Sequence, residues 1–288
     1  MRIAVSPKEA PLTLDELIEI AEQITAIYET VPGLHMALVT GSVARGLADR
    51  SSDLDLYLYW ERVDRDLLSS SSFGQRAGGT RAFGISTAAG YFEKYRFGDR
   101  LVDVESLSVE ELVRTETELE RRRPMSAQTA KTMAGFRDAI ALRGGDELAG
   151  WQSRLCYSPE RALIEVAVHL RQFLPPMAIY DVTMARGDSI SFSARLSAIA
   201  LAAIGAVAAV NAYALPTTDP KWLPWHVARL EKQPPAFMTR LQGPFMQPDA
   251  VSIIGFGNAL SETLDLIEQE LPAARPEVER ARFVLAFR

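Results

Sequence analysis

Leu34-His35-Met36-Ala37-Leu38-Val39-Thr40-Gly41-Ser42-Val43-Ala44-Arg45-Gly46, followed shortly by Ser52-Asp53-Leu54-Asp55-Leu56-Tyr57-Leu58-Tyr59-Trp60, decides how the N-terminal part of this 288-residue chain folds. Leu34 to Thr40 reads as a short buried strand leading into Gly41, where a turn and a new helix follow. Asp53 to Trp60 alternates strictly, so it reads as a second strand with Leu54, Leu56 and Leu58 on the core face. Strand residues two apart point to the same side, which projects Asp53 and Asp55 together from the face opposite the leucines.

That pairing is chemically expensive without a partner. Like charges a few ångströms apart raise one another's pKa, and a divalent cation between them relieves the cost. Magnesium prefers hard oxygen ligands and takes one or two carboxylates, completing its shell with phosphate and water. Upstream, Gly41 and Ser42 follow a strand and open a helix, so backbone N–H groups there can face an anion. Gly41 lets a phosphate approach, the Ser42 hydroxyl can donate to it, and Arg45 adds positive charge nearby. Ser52 either supports the loop before Asp53 or touches the nucleotide.

Working outward, Tyr91 to Phe97 and Leu101 to Leu107 flank Gly98-Asp99, a two-residue connection of the kind that closes an antiparallel hairpin. Val102-Asp103-Val104-Glu105 alternates, placing Asp103 and Glu105 on one face. Asp103 is preferred as a third carboxylate, either ligating a metal or accepting the proton of an attacking hydroxyl. Thr13 and Glu16 form a capping box for a first helix running to about Thr30. Residues 69 to 90 are rich in serine and glycine and read as a long loop, a mobile flap with a weak strand near Ala82 to Ile85.

Ser108 and Glu111 open a second capped helix, which runs to about Arg123 and stops at Pro124. The boundary is placed there, dividing the chain into 1–123 and 124–288. Beyond it the sequence looks helical throughout: Ser158-Pro159 starts one helix, and Ser193 to Val210 and Asp249 to Leu271 are two long ones. A bundle of five or more helices is expected.

Composition narrows the function classes. The first 123 residues carry 21 acidic and 15 basic side chains and the remainder 16 of each, so the net charge of −6 comes from the N-terminal part. The only basic run is Arg121 to Arg123, which argues against a nucleic-acid partner. The lone cysteine, Cys156, offers no internal disulfide and reads as buried packing. The apolar run Ser197 to Val210 is shorter than the roughly 20 residues that span a bilayer, so a buried bundle helix is expected and no membrane partner. Early acidic residues (Glu9, Asp15, Glu16) do not fit a secretory leader, and the expected location is the cytoplasm. His35, His169 and His226 lack metal-ligand spacing, and Arg186-Gly187-Asp188 reads as a turn.

Together, Gly41-Ser42, Asp53-Leu54-Asp55 and Val102-Asp103-Val104 resemble the signature of the polymerase-beta-type nucleotidyltransferase superfamily: a hydrophobic strand, Gly-Ser, a short helix, Asp-x-Asp on the next strand, and a later carboxylate-bearing strand. The match covers most of residues 34 to 107. The remainder is similar to the helical domain of aminoglycoside and lincosamide nucleotidyltransferases, in which Asn-x-x-Tyr precedes Lys-Trp. Asn211, Tyr213, Lys221 and Trp222 occur here in that order, although Ala212 makes the first spacing Asn-x-Tyr.

The resemblance implies an α+β protein: an N-terminal nucleotidyltransferase domain with a small mixed β-sheet flanked by helices, plus a C-terminal all-α helical bundle. It implies Asp53, Asp55 and Asp103 as catalytic metal ligands, with Mg2+ and a nucleoside triphosphate, ATP first, as cofactor and substrate. Gly41, Ser42, Arg45, Ser52 and Lys221 would contact the nucleotide. The expected reaction moves a nucleoside monophosphate onto a hydroxyl of a small molecule, and an acidic domain favours a cationic, aminoglycoside-like acceptor. Nucleotidylation of a protein or tRNA, and a nucleotide-binding module without catalysis, stand as alternatives.

Overall fold

In a computed structural model, which describes residues 13–50, 52–71, 73–217 and 220–286, the chain forms two compact units. The first comprises the described residues up to Thr117 together with Gly135–Leu155; the second comprises Glu118–Ala134 and the residues from Cys156 onward.

The first unit is built on a mixed six-stranded sheet of order β3-β4-β5-β2-β1-β6. Its strands are β1 (Leu34–Thr40), β2 (Leu54–Trp60), β3 (Thr80–Ser86), β4 (Gly90–Phe97), β5 (Arg100–Ser108) and β6 (Ile140–Arg143). Every pairing is antiparallel except β2 with β5, which run parallel with Asp55 in register with Asp103. Helices α1 (Leu14–Tyr28), α2 (Gly41–Ala44), α3 (Arg65–Ser70), α4 (Phe73–Arg76) and α5 (Glu110–Glu120) accompany it, and α6 (Ala127–Asp138) leads into β6 and α7 (Gly145–Arg154).

Thr13 and Glu16 cap α1 reciprocally, as their spacing predicts. Leu17, Ala21, Ile24 and Tyr28 of this helix pack on Leu54, Leu56, Leu58, Val102 and Val104 of the sheet. The leucine face of β2 is therefore the core face, and each of these leucines, fully buried, contributes roughly 1.5–3 kcal/mol. What remains of the alternating pattern, Asp55 and Tyr57 on β2 and Asp103 and Glu105 on β5, is turned to the opposite face.

Four expectations change. The serine- and glycine-rich segment is not one long loop: it holds the end of α3, all of α4 and, around the weak strand expected near Ala82 to Ile85, the seven-residue β3; most of that strand is exposed, so edge pairing with β4 rather than burial holds it. Residues after Pro124 are not all helical, because β6 pairs with β1 through only three partners, too few for a period to show. Helix α5 ends at Glu120, and Ser108 accepts from the Glu110 backbone instead of forming a box with Glu111. Cys156 is exposed in the irregular stretch after α7, not buried packing.

Among the described residues, the second unit is helical. It contains α8 (Pro159–Leu170), α9 (Pro176–Ala185), α10 (Ser189–Val210), α11 (Leu223–Val227), α12 (Phe237–Met246), α13 (Ala250–Glu270) and α14 (Arg275–Leu285). By length and composition alone α10 and α13 could cross a membrane; here Ile199, Ala203 and Val207 of α10 and Phe256, Leu260 and Leu264 of α13 are buried in the core. Arg161 of α8, 2% exposed, donates to the carbonyls of Glu118, Leu119, Arg121 and Arg123, satisfying the orphan acceptors where α5 ends.

Candidate metal and nucleotide site

The parallel register of β2 and β5 builds the site. Thr40, Asp55, Asp103 and Lys94 form one row across β1, β2, β5 and β4, each opposite the next. Because all four share a face, the side chains of Asp55 and Asp103 meet, and Asp53 joins them from the residue pair before β2 begins. One carboxylate oxygen of each of Asp53, Asp55 and Asp103 lies within 4.8 Å of the others. Among the described residues no other cluster of three or more acids, histidines or cysteines comes this close.

Gly41 lies against this cluster. Its φ of +67° favours glycine, and a Cβ there would fall 2.0 Å from Asp55 Oδ2. The bend between β1 and α2 thus brings backbone directly beside the carboxylates, and Ser42 follows in the single turn of α2. Arg45 closes that turn and is engaged elsewhere: its Nε is 2.8 Å from Asp138 Oδ2, a partner it shares with Arg137. Ser52 works in the loop, where its hydroxyl exchanges hydrogen bonds with Asp49. Arg100, 3% exposed, donates to the carbonyls of Asp49 and Ser52 and fastens that loop to β5.

Glu105 sits one row further on, in register with Tyr57. Burial pushes the Tyr57 hydroxyl well above its usual range, and the charges of Glu105 and Asp55 push it further, so it remains a neutral phenol beside the acids.

One residue escaped the sequence reading. Lys94 Nζ lies 2.9 Å from Asp103 Oδ1. The signal existed, since a two-residue turn at Gly98-Asp99 pairs Phe97 with Arg100 and fixes Lys94 opposite Asp103.

In the second unit, Asn211 clamps the Lys232 backbone through both ends of its amide, and the Tyr213 hydroxyl is 2.7 Å from His226 Nδ1. Lys221 is exposed, and Trp222, 38% exposed with φ +57°, caps α11. Two residues of the Asn-Tyr-Lys-Trp series therefore hold the chain around α11 together, and the other two face outward.

No protein-family model matches this chain, and no curated protein matches it. Among solved structures, it is similar to a nucleotidyltransferase-like protein from Exiguobacterium sibiricum 255-15, with 9% identity, 88% of this chain and 77% of that one covered, and a TM-score of 0.39. It is also similar to an aminoglycoside 6-adenyltransferase from Bacillus subtilis, with 8% identity, 96% and 100% covered, and a TM-score of 0.31.

Proposed function

We propose that this chain is a magnesium-dependent nucleotidyltransferase that moves a nucleoside monophosphate, AMP first, from a nucleoside triphosphate to a hydroxyl of a small cationic molecule. The reading is carried by the three aspartates, whose oxygens converge within 4.8 Å beside a glycine bend that has no room for a side chain. The donor set fits magnesium, since all three ligands are hard carboxylate oxygens. When bound, the metal supplies charge neutralisation at the phosphates.

Within this reading Asp53 and Asp55 hold the metal, and Asp103 either completes its shell or takes the acceptor proton. The backbone at Gly41 and the Ser42 hydroxyl bind triphosphate oxygens. The acceptor oxygen forms a new bond to the α-phosphorus as the bond to the β-phosphate oxygen breaks, and pyrophosphate leaves. Catalysis then consists mainly of positioning and charge neutralisation, which is what this arrangement of acids offers.

The test is pyrophosphate release from ATP and magnesium with a panel of aminoglycoside and lincosamide acceptors, alongside labelled ATP in a cell extract. Release with a small acceptor, lost in Asp53→Asn, supports the reading. Label confined to macromolecules shifts the acceptor to protein or tRNA. Turnover in Asp53→Asn equal to the parent's would sink the enzyme itself.

A further inference from the structure

The helical unit contains a partly open pocket of about 180 Å3, lined by residues of that unit and bordered by Met125, Tyr157, Glu165, His169, Gly205 and Tyr213. An apolar lining with a few convergent polar groups is the usual make-up of a small-molecule site. Here Ser126, Tyr157, Tyr213 and Thr217 contribute polar atoms, and the titratable pair Glu165 and His169 comes from one face of α8, since they are four residues apart and one turn separates them.

Glu165 is 6% exposed, and its hydrogen bonds are one-sided. Oε1 accepts from the Met125 backbone at 2.8 Å and from Arg161 at 3.4 Å. Oε2 has no hydrogen-bond partner among the described residues, and the carboxylate borders the cavity. Oε2 keeps some contact with solvent through the pocket, and burial raises the Glu165 carboxyl above its ordinary range, so an ammonium entering the pocket would favour the ionised form and give a charge-assisted partner to Oε2. Arg161 cannot turn to it, because its guanidinium is committed to four backbone carbonyls.

The imidazole of His169 likewise has no hydrogen-bond partner among the described residues. It packs so tightly on α10 that a Cβ on Gly205 would fall 2.4 Å from the ring, which fixes its plane along the cavity wall. Burial pushes its pKa down to about 4, so the ring is neutral near pH 7 and does not repel a cation. The size of the space limits the guest: an engineered cavity of about 150 Å3 in another protein takes up benzene, so a single ring or a chain of comparable bulk fits.

We infer that this cavity binds a compact primary amine in its protonated form, its ammonium donating to Glu165 Oε2 and its carbon skeleton lying against Met125, Tyr157 and the His169 ring. The site is separate from the carboxylates of the first unit in its residues, and it stands whether or not those carboxylates transfer nucleotides.

Benzylamine and its neutral isostere benzyl alcohol are the probes, titrated calorimetrically into the full chain at pH 7.5. Benzylamine should bind saturably and at least about tenfold more tightly than benzyl alcohol, the difference expected of one charge-assisted hydrogen bond. Glu165→Gln keeps an acceptor for Met125 and Arg161 and should weaken benzylamine by about the same factor. Ala130→Leu, which fills the cavity and leaves the carboxylate in place, should abolish binding of both probes, and it fixes the location even if Glu165→Gln fails to fold. Equal affinity for the two probes, no saturable benzylamine binding, or full affinity retained in Ala130→Leu overturns the inference.

Discussion

Carboxylates occupy both faces of the same sheet, Glu93 on one and three aspartates on the other, and the protein treats them in opposite ways. Glu93 of β4 faces α1, fully buried, and receives hydroxyl hydrogen bonds from Tyr28 and Tyr95, both at 2.6 Å, with the Arg81 guanidinium 3.5 Å away. On the other face Asp53, Asp55 and Asp103 converge on one another, with Lys94 beside Asp103. The first arrangement is a carboxylate surrounded by donors, as burial demands. The second brings three carboxylates within 4.8 Å of one another, a like-charge grouping that an added cation would relieve. On the proposed function, the contrast assigns chemistry to the second face and stability to the first.

Mutation should therefore separate the two faces. On the proposed reading, Asp55→Asn lowers turnover by at least about a thousandfold, the several kcal/mol that a bound metal contributes to such a transition state. Its melting temperature without magnesium should hold or rise, because the substitution removes like-charge repulsion. Glu93→Ala should do the reverse, costing about 3 kcal/mol of stability by stranding two tyrosine hydroxyls and Arg81. Denaturant unfolding of both variants checks the pair; an Asp55→Asn protein as destabilised as Glu93→Ala would remove the distinction.

Gly41→Ala probes the boundary between the two behaviours. The positive φ costs the new residue about 1–2 kcal/mol, and its Cβ would displace the Asp55 carboxylate. A shift of about an ångström at a reacting group costs on the order of a hundredfold in rate, so turnover should fall far more than stability does. Lys94→Met has a smaller effect. Losing this partly exposed pair should cost up to about 1 kcal/mol without metal, and magnesium should then raise the melting temperature of the variant more than that of the parent. An unchanged magnesium response would show that Lys94 and the metal do not share Asp103.

How much of this could be read from the sequence follows from the range of the forces involved. Leu54, Leu56 and Leu58 against Asp53 and Asp55 were legible because a strand's period of two assigns faces without any knowledge of partners. Thr13 and Glu16 were legible because a capping box closes within one turn. The middle of β3 was legible as the weak strand near Ala82 to Ile85, but its full length and β6 were not, since each sits at a sheet edge where pairing with β4 or β1, set by tertiary structure, outweighs local pattern. Nothing local marks Glu93: its partners Tyr28 and Arg81 come from other elements, and no local rule brings Tyr28 across 65 residues. Arg161 was hidden for the same reason, its acceptors lying about 40 residues upstream.

The finest test compares Glu93 with a third carboxylate of the same unit, Asp138. Burial raises the Glu93 pKa above about 4.5 and outweighs the hydrogen bonds from Tyr28 and Tyr95, so the folded protein holds this proton more tightly than the unfolded chain. Its contribution to stability is complete below the unfolded value and is lost as pH rises through the folded one. Burial also acts on Asp138, but hydrogen bonds from Arg137 and Arg45 prevail and hold its pKa below about 3.8. Its contribution is present above the unfolded value and disappears as pH falls through the folded one. The stability difference between the parent and Glu93→Gln should therefore shrink as pH rises from about 4 toward neutrality, whereas that between the parent and Asp138→Asn should shrink as pH falls below about 4. Urea unfolding across that range checks both signs. Two slopes of the same sign would mean that Glu93 is governed by its donors, as Asp138 is, and that burial on the α1 face does not decide its charge.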